Sequence, residues 1–204
     1  MPFGLILLGV VVLLLLVGLG HRTLDRLYLT DRQALAVLAA MAAGSFVDLG
    51  GRPAGVSVQV NLGGILPVFL SLYVWLRADE AAERSRAFFA TLLTTLILTD
   101  FALFVPFDPG RGGWLDPLWL FGLVAGLVAY LSGRSRRASF IAASTSVFLV
   151  TLIAAAREWA MGHPVPVNFG GGGLLDATLI SAIVAVGLAE WIGETREALA
   201  ETSR

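Results

Sequence analysis

The stretch Val56–Arg77, VSVQVNLGGILPVFLSLYVWLR, restricts the fold most, because one apolar run changes from a strand-like to a helix-like pattern. Its first residues alternate apolar and polar side chains, as extended chains do. After Asn61, a Gly-Gly pair and a proline lead into an apolar helix. That helix, Gly63–Leu76, is too short to cross a hydrocarbon core of roughly 30 Å at ~1.5 Å per residue. The extended part is therefore expected below the outer membrane surface, where protein or water must satisfy its backbone.

A similar pattern recurs near the C-terminus. Residues Val165–Gly171 read VPVNFGG, against VQVNLGG for Val58–Gly64. Both elements are expected to begin at the outer face and to lead into helices that run inward. The chain, 1–204, is thus predicted to be one transmembrane domain, with residues of about 1–77 and 115–192 as a parallel repeat. Chance similarity between two short runs in a Val/Gly-rich chain is the alternative.

The composition indicates an integral membrane protein. The chain is 57% hydrophobic and 14% charged, against about 25% charged residues in soluble domains. A net charge of −1 offers no basic patch to a nucleic acid. The chain has no cysteine, and its two histidines lie on opposite predicted faces of the membrane. Neither a metal site nor a cofactor is therefore expected.

Seven apolar segments are long enough to span a bilayer when tilt is allowed. They are residues 3–20, 33–49, 56–76, 87–105, 115–132, 139–156 and 173–192. A cleaved signal peptide is the alternative for the first segment, although no basic residue precedes its apolar run. The predicted fold class is an all-α integral membrane protein of seven helices. It includes two broken or re-entrant Asn-Gly-Gly elements at the outer side.

The distribution of arginines predicts the orientation. The loops after the first, third and fifth segments hold three arginines each, and the loops after the second, fourth and sixth hold one each. Arginine-rich loops stay in the cytoplasm, so the N-terminus is expected outside and the C-terminus inside. The predicted location is the cytoplasmic membrane, a bacterial inner membrane. The expected partners are the lipid bilayer and a small solute, proton or cation, and a homo-oligomer is left open.

Polar residues at membrane depth mark the predicted site. Ionisable residues there are costly and usually face the bundle interior or water. Asp100 is the deepest, about 20 Å from the cytoplasmic end of its segment by helical rise. Such residues concentrate in the outer leaflet, which predicts a polar site that opens outward. The expected binding residues are Asp48, Asn61, Gly63, Gly64, Asp100, Asn168, Gly170, Gly171 and Asp176.

Most of these residues also have a structural interpretation. Asp176 near a helix N-terminus is stabilised by the helix dipole and can cap the helix. Asp48 has the i, i+4 spacing to Arg52 of an ordinary ion pair at the membrane boundary. Asn61 and Asn168 can cap the two broken helices. For Asp100 a functional role is preferred, because solvation does not explain so deep a carboxylate.

Four stretches resemble one family of prokaryotic multi-pass proteins. They are GSFVDLGG (Gly44–Gly51), VNLGGILPVFLSLYVWLR (Val60–Arg77), TLIAAA (Thr151–Ala156) and GGGGLLDATLISAIVAV (Gly170–Val186). The family is the domain of unknown function 1614. Its members show an Asn-x-Gly-Gly-x-x-x-Pro helix and a final helix that opens with Gly-Ala-Gly-x-x-Asp. The resemblance covers nearly the whole chain and implies a membrane location without an established activity.

The final motif is also similar to that of the Gly-x-Gly-Asp intramembrane aspartyl proteases. This resemblance implies two catalytic aspartates, here Asp176 with Asp48 or Asp100. Two departures weaken it. Two residues separate Gly173 from Asp176, and the preceding helix ends in Ala154–Arg157 where an aspartate is expected.

Three functions are consistent with these patterns. A permease or channel-like protein would direct helix dipoles and free backbone groups at a polar cavity. An aspartyl protease would need two carboxylates close enough to share a proton. In a non-catalytic assembly subunit, the polar layer would only lock helices together. The first function is preferred, and a non-enzymatic protein is preferred over an enzyme.

Overall fold

The computed structural model describes residues 27–52, 57–104, 117–162, 166–170 and 177–202. These residues form six helices and three short strands. The helices are α1 (Asp31–Gly44), α2 (Leu62–Arg77), α3 (Ala81–Phe104), α4 (Pro117–Gly133), α5 (Arg136–Ala160) and α6 (Ala177–Thr202). The strands are β1 (Asp48–Gly51), β2 (Val58–Asn61) and β3 (Val167–Phe169). The predicted first spanning segment, residues 3–20, lies outside the described residues.

The chain is mostly helical, as predicted, but the sheet makes it more than an all-α protein. Among the described residues, α3 and α5 are long and apolar enough to cross a membrane, with 24 and 25 residues. Shorter apolar stretches lie in α1, α2, α4 and α6. Seven spanning helices and an outside N-terminus stay predictions.

Helix α1 ends earlier than the predicted segment 33–49. A capping box begins it: the Thr30 hydroxyl accepts from the Gln33 backbone N–H at 3.3 Å, and the Gln33 side chain accepts from the Thr30 N–H at 2.9 Å. After Gly44 the chain turns and starts β1 at Asp48. The sequence predicted an ion pair between Asp48 and Arg52 at the i, i+4 spacing of a helix. This prediction is wrong, because the segment is extended.

Consecutive helices alternate in direction, so the bundle has two distinct ends. The turns α2–α3 and α4–α5 share one end, where Arg137 Nη1 donates to Glu83 Oε2 at 2.8 Å. Arg136 forms an ion pair with Glu190 of α6 at the same end. We call this the arginine end. The three strands lie between helix termini at the opposite end, which we call the sheet end.

Tyr28 ties the segment before α1 to the arginine end. Its ring lies 3.9 Å from the Arg137 guanidinium carbon, and its hydroxyl donates to Asp79 Oδ2 at 3.2 Å. Burial raises the pKa of the Tyr28 phenol, and the hydrogen bond to Asp79 raises it further, whereas the Arg137 charge lowers it. The phenol therefore keeps its proton at neutral pH and stays a donor to Asp79.

Small residues form much of the helix interfaces. Gly122 and Gly126 of α4 make a Gly-x-x-x-Gly pair that faces α6. A Cβ at Gly122 would lie 2.8 Å from Ile180 Cγ2, and one at Gly126 would lie 2.6 Å from Val184 Cβ. A further buried cluster of α3, α4, α5 and α6 consists of alanines, namely Ala90, Ala129, Ala142, Ala143 and Ala185. Such close approach through small residues is typical of helix pairs in membranes.

Many large apolar side chains lie on the outer surface. On α3, Phe89 is 67% exposed and Phe104 is 83% exposed. Trp159 at the sheet end and Trp191 at the arginine end are also exposed, which matches the aromatic belts of membrane proteins. Exposing this much apolar area to water is unfavourable by about 25 cal/mol per Å². The distribution is compatible with a membrane protein.

Two glycines of the bundle provide a matched stability test. Gly126→Ala places a methyl group against Val184 and is expected to destabilise the fold by about 1–3 kcal/mol through overpacking. Gly187→Ala on α6 meets no atom within 4 Å and is expected to stabilise its helix by roughly 0.5–1 kcal/mol. Thermal unfolding in one detergent measures both. Equal effects of the two substitutions would contradict the described α4–α6 packing.

Candidate functional site

The two similar Val-x-Val-Asn elements pair directly with each other. β2 is the central strand, antiparallel to β1 and parallel to β3. Val58 lies opposite Val167, and Gln59 opposite Asn168. This register is shifted by two residues from the sequence alignment of the two elements, so the alternation of faces is preserved. The parallel repeat itself stays a prediction.

One face of the sheet is polar. Opposite residues share a face and successive residues alternate between faces. Asp48, Gln59, Asn61 and Asn168 therefore lie on one face, which we call the polar sheet face. The other face carries Val58, Val60, Val167 and Phe169. It packs on the bundle: Val167 is buried, and the Phe169 ring lies 5.0 Å from that of Phe148 on α5.

Asn61, the last residue of β2, is the buried residue of this face and is 4% exposed. Its Oδ1 accepts from the Gly64 backbone N–H at 3.0 Å and so caps α2, as predicted. Its Nδ2 donates to the Ser45 carbonyl at 3.0 Å and to Asp48 Oδ1 at 2.9 Å. Both amide hydrogens are thereby used. Asn61 thus joins α1, β1 and α2, and it orients the Asp48 carboxylate.

The neighbouring glycines allow three backbones to meet. A Cβ at Gly63 would lie 2.3 Å from the Met41 carbonyl oxygen, in the last turn of α1. One at Gly64 would lie 2.4 Å from the Gly170 carbonyl oxygen, just beyond β3. Gly170 itself has φ +66°, which disfavours other residues. Packing alone therefore explains glycine at three positions that were predicted to bind a ligand.

The structure places the other predicted residues in different surroundings. Asp48 and Asn168 are exposed on the polar sheet face. The expected helix cap by Asn168 is wrong, because Asn168 lies inside β3. Asp100 is exposed on α3, whose partners are α4 and α5, and it is not part of this face. Gly171 and Asp176 lie outside the described residues.

Gln59 is the residue of this site that sequence reasoning missed. It is exposed beside Asn168 on the polar sheet face. The alternation in VSVQV contained the signal. Alternate residues of a strand share a face, so the pattern indicates Gln59 on the same face as Asn61. Within the described part of the chain, no group of three His, Asp or Glu residues is close enough to hold a metal ion. A protease dyad with Asp176 stays a prediction.

These features define a mostly helical protein. A small sheet lies at one end of a helix bundle, and many contacts between the helices are made by small residues. The chain belongs to the family described as Protein of unknown function (DUF1614), whose family model matches residues 24–188. Comparison with curated proteins and with solved structures found no match. The Asn-x-Gly-Gly motif of this chain has a structural role. The asparagine caps α2, and the glycines allow the end of α1 and the residue after β3 to contact the backbone of α2.

Substitution of the two asparagines tests whether Asn61 has a structural role and Asn168 only a surface position. Asn61→Ala removes the α2 cap and leaves the buried partners unpaired, so a loss of about 1–3 kcal/mol of unfolding free energy is expected. Asn168→Ala on the exposed face is expected to change stability by less than about 0.5 kcal/mol. Chemical denaturation in mild detergent measures both variants. Similar losses for the two would show that Asn61 does not hold α1, β1 and α2 together.

Proposed function

We propose that this protein is a multi-pass protein of the cytoplasmic membrane. The supporting observation is the distribution of side chains, with alanine and glycine at many of the helix contacts and many large apolar residues on the outer surface. Helix α5, with 25 residues, is about 37 Å long at ~1.5 Å per residue, enough to cross a core of roughly 30 Å. Trp159 and Trp191 then lie near the two interfaces.

The positive-inside rule assigns the two ends of the bundle in this proposal. Arg77, Arg84, Arg134, Arg136 and Arg137 lie at the turns of the arginine end. That end is therefore cytoplasmic, and the sheet end faces outward. The polar sheet face then forms an outward-facing polar surface.

We further propose that the polar sheet face recognises a small hydrophilic solute, a proton or a cation, in a permease or channel-like protein. The observation that carries this proposal is the pairing of two distant Val-x-Val-Asn elements, which gathers Asp48, Gln59 and Asn168 on one exposed face. The Asp48 carboxylate, oriented by Asn61, supplies negative charge. The amides of Gln59 and Asn168 supply neutral donors and acceptors.

A non-catalytic assembly subunit is the second candidate. One specific observation favours it: all the polar atoms of the Asn61 side chain are engaged within the fold. A ligand that bound Asn61 would have to break the α2 cap. In this case the polar sheet face would only be the solvated side of a structural sheet, and partners would bind elsewhere.

The orientation has a direct test, because the chain has no cysteine of its own. Gln59→Cys at the sheet end is expected to react with a membrane-impermeant maleimide in intact cells. Glu80→Cys, exposed at the arginine end, is expected to react only after permeabilisation. The reverse pattern would invert the proposed topology, and labelling of both positions in intact cells would contradict a membrane-spanning bundle.

Transport through the polar sheet face can be tested in proteoliposomes. The probes are protons and monovalent cations. A pH dye and cation-sensitive dyes report their flux. Loss of a charged hydrogen-bonding group costs about 1.5–3 kcal/mol, so Asp48→Asn is expected to slow flux by roughly 10- to 100-fold. Glu80→Gln, which removes an exposed carboxylate at the other end, is the matched control. Absence of flux with the unmodified protein would favour the assembly subunit.

A further inference from the structure

From Phe88 to Phe104, the exposed face of α3 is apolar except for one carboxylate. Leu96 is 61% exposed, Leu103 is 60% exposed and Phe104 is 83% exposed. These residues lie three or four positions from Asp100, so they surround it on the helix surface. Asp100 is itself exposed. Within the described residues, no hydrogen bond or ion pair joins its carboxylate to another group.

The position of Asp100 along α3 makes an unpartnered charge costly. Asp100 follows Ala87, the first residue of the apolar part, by 13 residues, or about 20 Å of helix. In the proposed membrane orientation, on which this inference rests, that depth is inside the hydrocarbon core. A carboxylate there pairs with a cation or a donor, or faces water.

Arg157 carries the opposite charge at nearly the same level on the neighbouring helix. α3 and α5 run in the same direction, since Glu83 contacts Arg137 near their starts and Leu98 packs in one cluster with Val150. This correspondence places Asp100 about one helical turn from Arg157 along the bundle axis. Arg157 is also exposed, and it too has no ion-pair partner among the described residues.

We propose that a second copy of this chain covers the exposed face of α3, with Asp100 of each subunit paired with the partner's Arg157. The argument is charge complementarity: one chain presents both members of the pair on two packed helices, unpaired within the described residues. A two-fold symmetric dimer would form the pair twice. The long arginine side chain spans the offset of one turn. Residues 3–20 contain no charged side chain, so they offer no cation to the Asp100 carboxylate.

Charge reversal tests this pairing. Donor- and acceptor-labelled copies in liposomes report the dimer fraction by energy transfer. D100R and R157D are each expected to weaken the dimer by about tenfold or more, because like charges then meet twice. The double variant D100R/R157D restores opposite charges and is expected to regain the dimer. A mixture of D100R copies with R157D copies is expected to form mixed dimers, although each alone does not.

The mixture keeps the test decisive, because its recovery shows that both single variants fold. A monomeric unmodified protein, or single variants with an unchanged dimer fraction, would overturn the proposal. Rescue of D100R by R111D, with no rescue by R157D, would assign Asp100 to a contact within one chain and would also overturn it. Alkaline extraction of membranes separates the two proposals. A chain that is released fails as a membrane protein, whereas a chain that is retained but monomeric fails only the dimer.

Discussion

The fold depends on one junction where three backbones meet without intervening side chains. The last turn of α1, the first turn of α2 and the end of β3 converge at Gly63, Gly64 and Gly170. Asn61 closes the junction by capping α2 and bonding to both Ser45 and Asp48. Without glycine these segments could not approach, and without the asparagine the buried backbone groups at the start of α2 would lack a partner.

The same constraint extends through the bundle. Close helix contacts require small residues, and in this chain serine and threonine accompany alanine and glycine at them. Most of the buried hydroxyls donate to carbonyls of the preceding turn, as Thr95 does to Thr91 at 2.7 Å. Ser181 also donates across the α5–α6 interface, to the Ala143 carbonyl at 3.2 Å. Polar groups of this kind stabilise helix packing at a small desolvation cost.

Charge is consequently divided between separate parts of the molecule. The arginine end holds ion pairs between different helices, and the sheet end presents one oriented carboxylate with two exposed amides. Asp100 belongs to neither, because it lies on the outer surface of α3. The predicted single polar layer is thus two features with different expected roles. Our proposals assign solute recognition to the polar sheet face and a subunit contact to Asp100.

Local chemistry in the sequence was sufficient to predict the helical character of the chain, the extended run before Asn61 and the cap by Asn61. These properties depend on residues a few positions apart. The early end of α1, the position of Asn168 inside a strand and the role of Gly63 and Gly64 followed only from the tertiary structure. They depend on contacts between residues far apart in the chain, such as Gly64 with Gly170. A local pattern shows which side chains share a face, but only packing decides what that face meets.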